Sequence, residues 1–280
     1  MANETEFSNF STVAAYVAAN AAPHFADESI MKGLITVEEP TLGSNAKKFP
    51  TKGSLSASVV GEGSAATISE YTESDVTLTL QKGVVYVELS HEAQSYQSGD
   101  KLSELAQEAG RALAEKFDTD VLALFDGFSG SVGSTGVDMS PATFKSAAYN
   151  LRLNKVKGDI YCVMHPTQIN DIGDDQLAET ATIYGNAAHQ DLLDMRPKQM
   201  HGSFLGIPVF SSTNAESINA AADWSGGMFS KYAIAALLKP QLTVNIGLDV
   251  QTSIHELSVI MDYQVGEWKD SAGIGIVSDQ

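Results

Sequence analysis

The chain has 280 residues, and its 17 basic against 35 acidic side chains give a formal net charge of −18, which repels nucleic acid and acidic membrane surfaces and excludes a dedicated DNA reader. Its length allows one sizeable core or two smaller ones. The single cysteine, Cys162, excludes an intrachain disulfide and a cysteine zinc cluster and fits a reducing folding compartment, while the lack of a long apolar run or a leader-like start predicts a soluble chain, unprocessed at its N-terminus.

In chain order, EFSNFSTVAAYVAANAAPHFADESIMKGLITVEEP mixes short helical patterning with Pro23, Gly33 and Pro40, and reads as an arm that needs a partner surface to be ordered. From Lys47 the pattern changes to period two. KKFPTKGSLSASVV and DVTLTLQKGVVYVELS flank a small, polar tip containing Gly61, Gly63, Ser64, Ala65 and Ala66. Such an excursion has too little apolar mass to pack a core alone and becomes stable when something covers it. The tip lacks the strand, Gly-rich turn and Lys-Ser/Thr helix start of a phosphate cradle, so it is expected to reach for protein and not for a ligand.

DKLSELAQEAGRALAEKFDTDVLALFDG carries the strongest local signal. Asp100 stands at the N-cap position and Gly127 at the close. Leu102, Leu105, Ala106, Ala109, Leu113, Phe117, Val121, Leu124 and Phe125 recur every three or four residues and share a face, predicting a long one-faced helix. Its opposite face, with Glu104, Glu108, Arg111, Glu115, Lys116 and Asp118, reads as solvated or subunit-facing. GFSGSVGSTG then reads as a flexible connector. SPATFKSAAYNLRL predicts a helix capped by Ser140 with Pro141 in its first turn, IYCVM a buried strand, and HPTQINDI the start of a further helix. GSFLGIPVFSSTNA, GGMFSKYAIAALLKP and the closing VQTSIHELSVIMDYQVGEW and SAGIGIVSD supply further strands and turns.

No catalytic or metal motif stands out. GFSGS lacks the closing glycine of a nucleophile elbow. His165, at the end of IYCVM, could act as a base near Asp171, Asp174 and Asp175, but no second histidine lies at ligand spacing and the aspartates do not form a calcium loop; a structural role is the expectation. His255 and Glu256 alternate faces on a strand, His189 and His201 have no recognised metal spacing, and the Asn9-Phe10-Ser11 sequon reads as chance.

The order of these parts, an arm, a long hairpin with a small-residue tip, one long helix, an α/β unit and a returning strand pair, resembles the tailed-phage major capsid protein with the Hong Kong 97 fold. The residues that carry the resemblance are the helix run from Gly99 to Gly127, YCVMHPTQINDI, LGIPVFSSTN before GMFSKYAIAALLKP, and the terminal strands through IGIVSD. They span nearly the whole chain. The resemblance implies an α+β fold with an N-terminal arm (1–45), an extended β-hairpin loop (46–90), a peripheral domain with a spine helix (91–136), an axial α/β domain (137–250) and returning strands of the peripheral domain (251–280). It also implies a non-enzymatic shell subunit without cofactor or metal, forming pentamers and hexamers of an icosahedral head that encloses double-stranded DNA. The expected location is the virion, after assembly in the host cytoplasm.

Within the extended loop the resemblance implies that Gly61 and Gly63 give backbone freedom while Glu62, Glu70, Tyr71 and Glu73 contact a neighbouring subunit. Some members of the family weld subunits through a loop lysine joined to a neighbour's asparagine. The tip here contains none, Lys52 and Lys82 lying near the base, so no spontaneous cross-link is expected, and burial, charge pairs or a cement protein should strengthen the shell. Because the chain begins almost at the arm, a separate scaffolding protein, or a start at the mature end, is implied; a portal is a further expected partner. An encapsulin-like compartment, which shares this fold, is the second reading, distinguished by protein cargo in place of DNA. An acidic α/β enzyme built around His165 is the third.

Overall fold

In the computed structural model, which describes residues 5–279 other than 54, 56, 66–67, 69–72, 91–100, 157, 174–199, 219–221 and 250–253, the chain starts with helix α1 (Thr5–Glu28), the short α2 (Met31–Leu34) and strand β1 (Thr36–Glu38). Strands β2 (Ala46–Lys52), β3 (Glu73–Thr79) and β4 (Gln81–Ser90) precede the long helix α3 (Lys101–Leu122). After β5 (Ser131–Gly133), α4 (Pro141–Leu153) and β6 (Ile160–Met164), a helix α5 covers 166–173. The rest is extended: β7 (Met200–Phe204), β8 (Ile207–Ser211), β9 (Glu216–Ile218), β10 (Asp223–Ser230), β11 (Ile234–Leu238), β12 (Thr243–Asp249), β13 (Ile254–Glu267) and β14 (Gly273–Asp279).

The apolar spacing of α3 does what it predicts. Ala106, Ala109, Leu113, Phe117 and Val121 are all buried, and Phe117 meets Tyr263 of β13 edge to face at 5.5 Å between centroids. The N-terminal segment departs from the expectation of short patterning that waits for a partner. Val17, Ala21 and Phe25 form an i, i+4 stripe on α1 that this chain's own α3 covers. Small residues make the approach close: a Cβ on Gly110 would lie 2.5 Å from the carbonyl oxygen of Ala21. Pro23, inside α1, removes one backbone donor but does not end the helix.

Two sheets organise the rest. In the first, β13 is central: β4 pairs along one edge, from Ser90 opposite Ile254 to Gln81 opposite Tyr263, while β12 and β11 share the other edge. β1 adds to β11 in parallel. The second sheet runs β5-β14-β10-β6-β8-β7, with β9 also on β10. One of its faces is covered by α4, whose Ser140 hydroxyl accepts the Thr143 N–H at 3.3 Å, with Pro141 in the first turn as predicted. Phe144, Ala147, Ala148 and Leu151 are the buried face of this helix, and Phe144 meets Phe204 edge to face.

The sheets do not follow the expected boundary at 250. β11 and β12, placed by sequence in the axial segment, lie in the first sheet, whereas β14, placed with the returning strands, is an interior strand of the second. Strand patterning identifies an element but not its partners: β11 and β14 pair with residues far apart in sequence, and β12 follows its neighbour β13 into the first sheet. After the first passage, from β4 to β5 through α3, the chain crosses between sheets twice more, at 231–233 and at 268–272. These two crossings are held together because the carbonyl of Ala233 accepts the N–H groups of Trp268 and Lys269 at 2.8 and 3.0 Å.

The turn after α3 fills the other face of the second sheet. Phe125 and Phe128 stack at 6.1 Å, and each lies over strand glycines. A Cβ on Gly227 of β10 would lie 2.7 Å from the Phe125 ring, and one on Gly273 of β14 would lie 2.2 Å from the Phe128 ring. These glycines sit inside strands because aromatic rings occupy the space of their missing side chains.

Gly110→Ala tests the helix crossing against propensity. Alanine in a helix interior should stabilise by about 1 kcal/mol, but the contact with Ala21 predicts a net loss and a lower unfolding midpoint in urea. Gly227→Ala should cost roughly 1–3 kcal/mol by overpacking, and Phe125→Leu in that background should recover part of it.

Candidate inter-subunit surface

The extended excursion has a rigid base and an uncovered end. β2 and β3 pair antiparallel from Ala46 opposite Thr79 to Lys52 opposite Glu73. Phe49 and Leu78 of this ribbon are buried against Ala235 and Leu237 of β11. A side-chain carbon on Gly266 would lie 2.5 Å from Leu78, so glycine there lets the ribbon sit close on β13. Trp268 closes the joint. Its ring meets Phe49 edge to face at 5.7 Å, its indole N–H donates to the Pro50 carbonyl at 3.2 Å, and its own carbonyl accepts the Thr51 hydroxyl at 3.1 Å. The expected single long hairpin is divided: after Leu80 the chain leaves β3 and enters the first sheet as β4.

Beyond Lys52 the described residues are exposed. Ser64 donates its N–H to the Gly61 carbonyl at 3.1 Å, closing a turn in which Gly63 has φ +81°, the left-handed region that glycine enters without penalty. The predicted freedom is required at Gly63, whereas Gly61 merely has open space around it. Glu62 stands at the turn and Glu73 at the start of β3, both exposed; Glu70 and Tyr71 lie outside the described residues. The end of the excursion is apolar as well as acidic. Val59 and Ile68 are 104% and 88% exposed and Leu55 65%, an unusual grouping for side chains that gain by burial.

Other candidate residues have structural work. His165 is the N-cap of α5: its Nδ1 accepts the Thr167 N–H at 3.3 Å, and Gln168 reaches back to accept the His165 N–H at 3.1 Å, the reciprocal arrangement of a capping box. Its ring stacks on Trp224 at 3.8 Å, and desolvation lowers its pKa. Asp174, Asp175 and His189 fall outside the described residues. Among the described residues no cluster of three or more His, Cys, Asp or Glu side chains could hold a metal, and no helix is long and apolar enough to cross a membrane.

Asp118 overturns part of the expected solvated face of α3. It is 3% exposed and accepts from the Ser29 hydroxyl at 2.6 Å and from the N–H groups of Ile30 and Met31 at 2.9 and 3.3 Å. A position on the polar side of the helical wheel is thus the anchor of the corner between α1 and α2. Burial pushes its pKa up to about 6, against the opposing pull of those hydrogen bonds.

An exposed ribbon end on a firm base, one long helix and two interlocked sheets are the build of a capsid-type shell subunit. The model of the Phage capsid family matches residues 12–237, so the chain belongs to that family. The subunit of the cyanophage P-SCSP1u capsid is similar at a TM-score of 0.64 and 18% identity, over 89% of this chain and 87% of that one. The head structure of Helicobacter pylori bacteriophage KHP40 gives 0.68 and 13%, over 90% and 91%. The holo-SrpI encapsulin complex of Synechococcus elongatus PCC 7942 gives 0.65 and 11%, over 89% and 87%. No curated protein sequence matches. Family and fold together identify a major capsid protein, a structural subunit whose copies associate into a shell and reside in the virion capsid.

The Asp118 carboxyl carbon should titrate near pH 6 in the free subunit, by NMR. Its folded pKa is raised, so its contribution to stability is full below the unfolded value near 3.9 and is lost as pH rises through about 6. Relative to Asp118→Asn, the wild-type chain should therefore lose unfolding free energy across that window, and a flat difference would count against the buried carboxyl.

Proposed function

We propose that the chain forms the pentamers and hexamers of an icosahedral phage head enclosing double-stranded DNA, with residues 53–72 as an extended loop that lies over a neighbouring subunit. In this reading α3 is the spine of a peripheral domain built on the first sheet, and α4 with the second sheet forms the axial domain. The observation that carries it is the contrast within one ribbon: Phe49, Leu78 and Trp268 fix its base, while Leu55, Val59 and Ile68 are left without cover. Glu62, Glu70, Tyr71 and Glu73 are the polar contacts to the neighbour, and Gly61 and Gly63 shape the turn that presents them. Obligate interfaces above roughly 2,000 Å² are the usual fate of such elements.

The net charge of −18 suits an inner wall that encloses DNA without gripping it. A scaffolding protein, a portal and a cement protein are the partners this function calls for, with assembly in the host cytoplasm. Since the sequence of the tip holds no lysine, the shell is held by burial and charge pairs. The encapsulin compartment is the second reading, favoured by the SrpI likeness, and the contents of purified shells, DNA or protein, decide between the two. Deleting Gly61–Ser69 should leave a folded, soluble subunit that forms no closed shells by electron microscopy; normal shells from that deletion would falsify the strap.

A further inference from the structure

The twin crossings between the sheets border a cleft of about 600 Å³. Its floor is apolar, with Pro50, Val156 and the rings of Tyr232 and Trp268, and Lys155 and Lys269 stand exposed at its rim. The two rings meet edge to face at 5.9 Å, yet Tyr232 is still 52% exposed. Among the described residues no carboxylate lines the cleft, although acids outnumber bases two to one in the whole chain. An apolar floor with a cationic rim fits a partner that is apolar and acidic at once.

One segment of this chain has that chemistry. Residues 53–72 contain Glu62 and Glu70 but no lysine or arginine, and Leu55, Val59 and Ile68 are exposed. We infer that the cleft of one copy receives the 53–72 loop of a second copy, with apolar side chains against Tyr232 and Trp268 and Glu62 facing Lys155 and Lys269. This assignment rests on the strap reading above and names the surface that the strap grips. The contact is head to tail, loop of one copy to cleft of the next, and repetition of such a contact closes rings when the rotation between copies allows. The cleft also lies at the root of the recipient's own ribbon, where Pro50 and Thr51 contribute to its wall, so each received loop braces the base from which the next one leaves.

The test places a photoreactive phenylalanine analogue at position 232 in the full-length chain and assembles shells from a mixture of ¹⁴N- and ¹⁵N-labelled copies. Trypsin releases the loop as one peptide, 53–82, because no lysine or arginine interrupts it before Lys82. The expected result is crosslinks joining light and heavy copies through that peptide. Crosslinks confined to a single label, or running to other segments, overturn the assignment. As a second measurement, Lys155→Glu with Lys269→Glu should lower the yield of capsomers about tenfold at equal subunit concentration with an unchanged melting curve, and Glu62→Lys should restore most of it. Full yield from the double reversal also overturns the assignment. Either failure leaves the strap reading standing so long as the Gly61–Ser69 deletion still abolishes shells, whereas normal shells from that deletion bring down the underlying reading itself.

Discussion

The contact on which the rest of the structure depends is the seating of two phenylalanine rings on bare strand backbone. Phe125 and Phe128 lie in the turn that follows the long helix, and they pack on the second sheet, over Gly227 and Gly273. The core that the helix shares with the first sheet is thereby continued onto one face of the second. Phe229 extends the joint, its ring 5.2 Å from Phe125. Any side chain at those glycines would push the sheet away from the helix end, and the two halves would be linked by little more than their crossings. Protein interiors resist such displacement because they are packed at crystal-like density.

Stiffness at this joint gives the exposed ribbon its leverage. Its base is tied to the first sheet by apolar burial, by the Trp268 indole and by the close approach at Gly266. A loop that emerges from such a base loses less orientational freedom when a partner covers it than a loose tail would, and the saving appears as affinity. The neighbouring crossings, clasped by the Ala233 carbonyl, keep the same region from splaying. The base of the ribbon and the wall of the cleft are thus built from one corner.

What the sequence disclosed and what it hid follow from locality. The buried face of α3, the Ser140 cap and the IYCVM strand rest on residues within a few positions of one another, and the structure shows them as expected. The placement of β11 and β14 depends on partners distant along the chain, which periodicity does not encode. α1 was obscured by Pro23 and by alanines whose weak apolar signal conceals a tight helix crossing. Asp118 looked solvated because a helical wheel shows the axis of one helix and not the corner folded against it. At the candidate site the glycine turn at the tip was legible, since Gly63 is needed at positive φ. Trp268 and Tyr232 were not: they sit in turns, where no period marks them, and only the fold brings them together.

The position of the last strands has a consequence for synthesis. β13 is the central strand of the first sheet, and β14 lies inside the second, between β5 and β10. Neither sheet can close until residues 254–279 have left the ribosome. A nascent chain therefore carries two unfinished sheets with open hydrogen-bonding edges, a state in which contacts of long sequence separation arrive last. For a protein made in many copies to build one shell, this order is also a form of quality control, because a chain that stops early lacks the middle of both sheets and cannot present a finished surface to its neighbours.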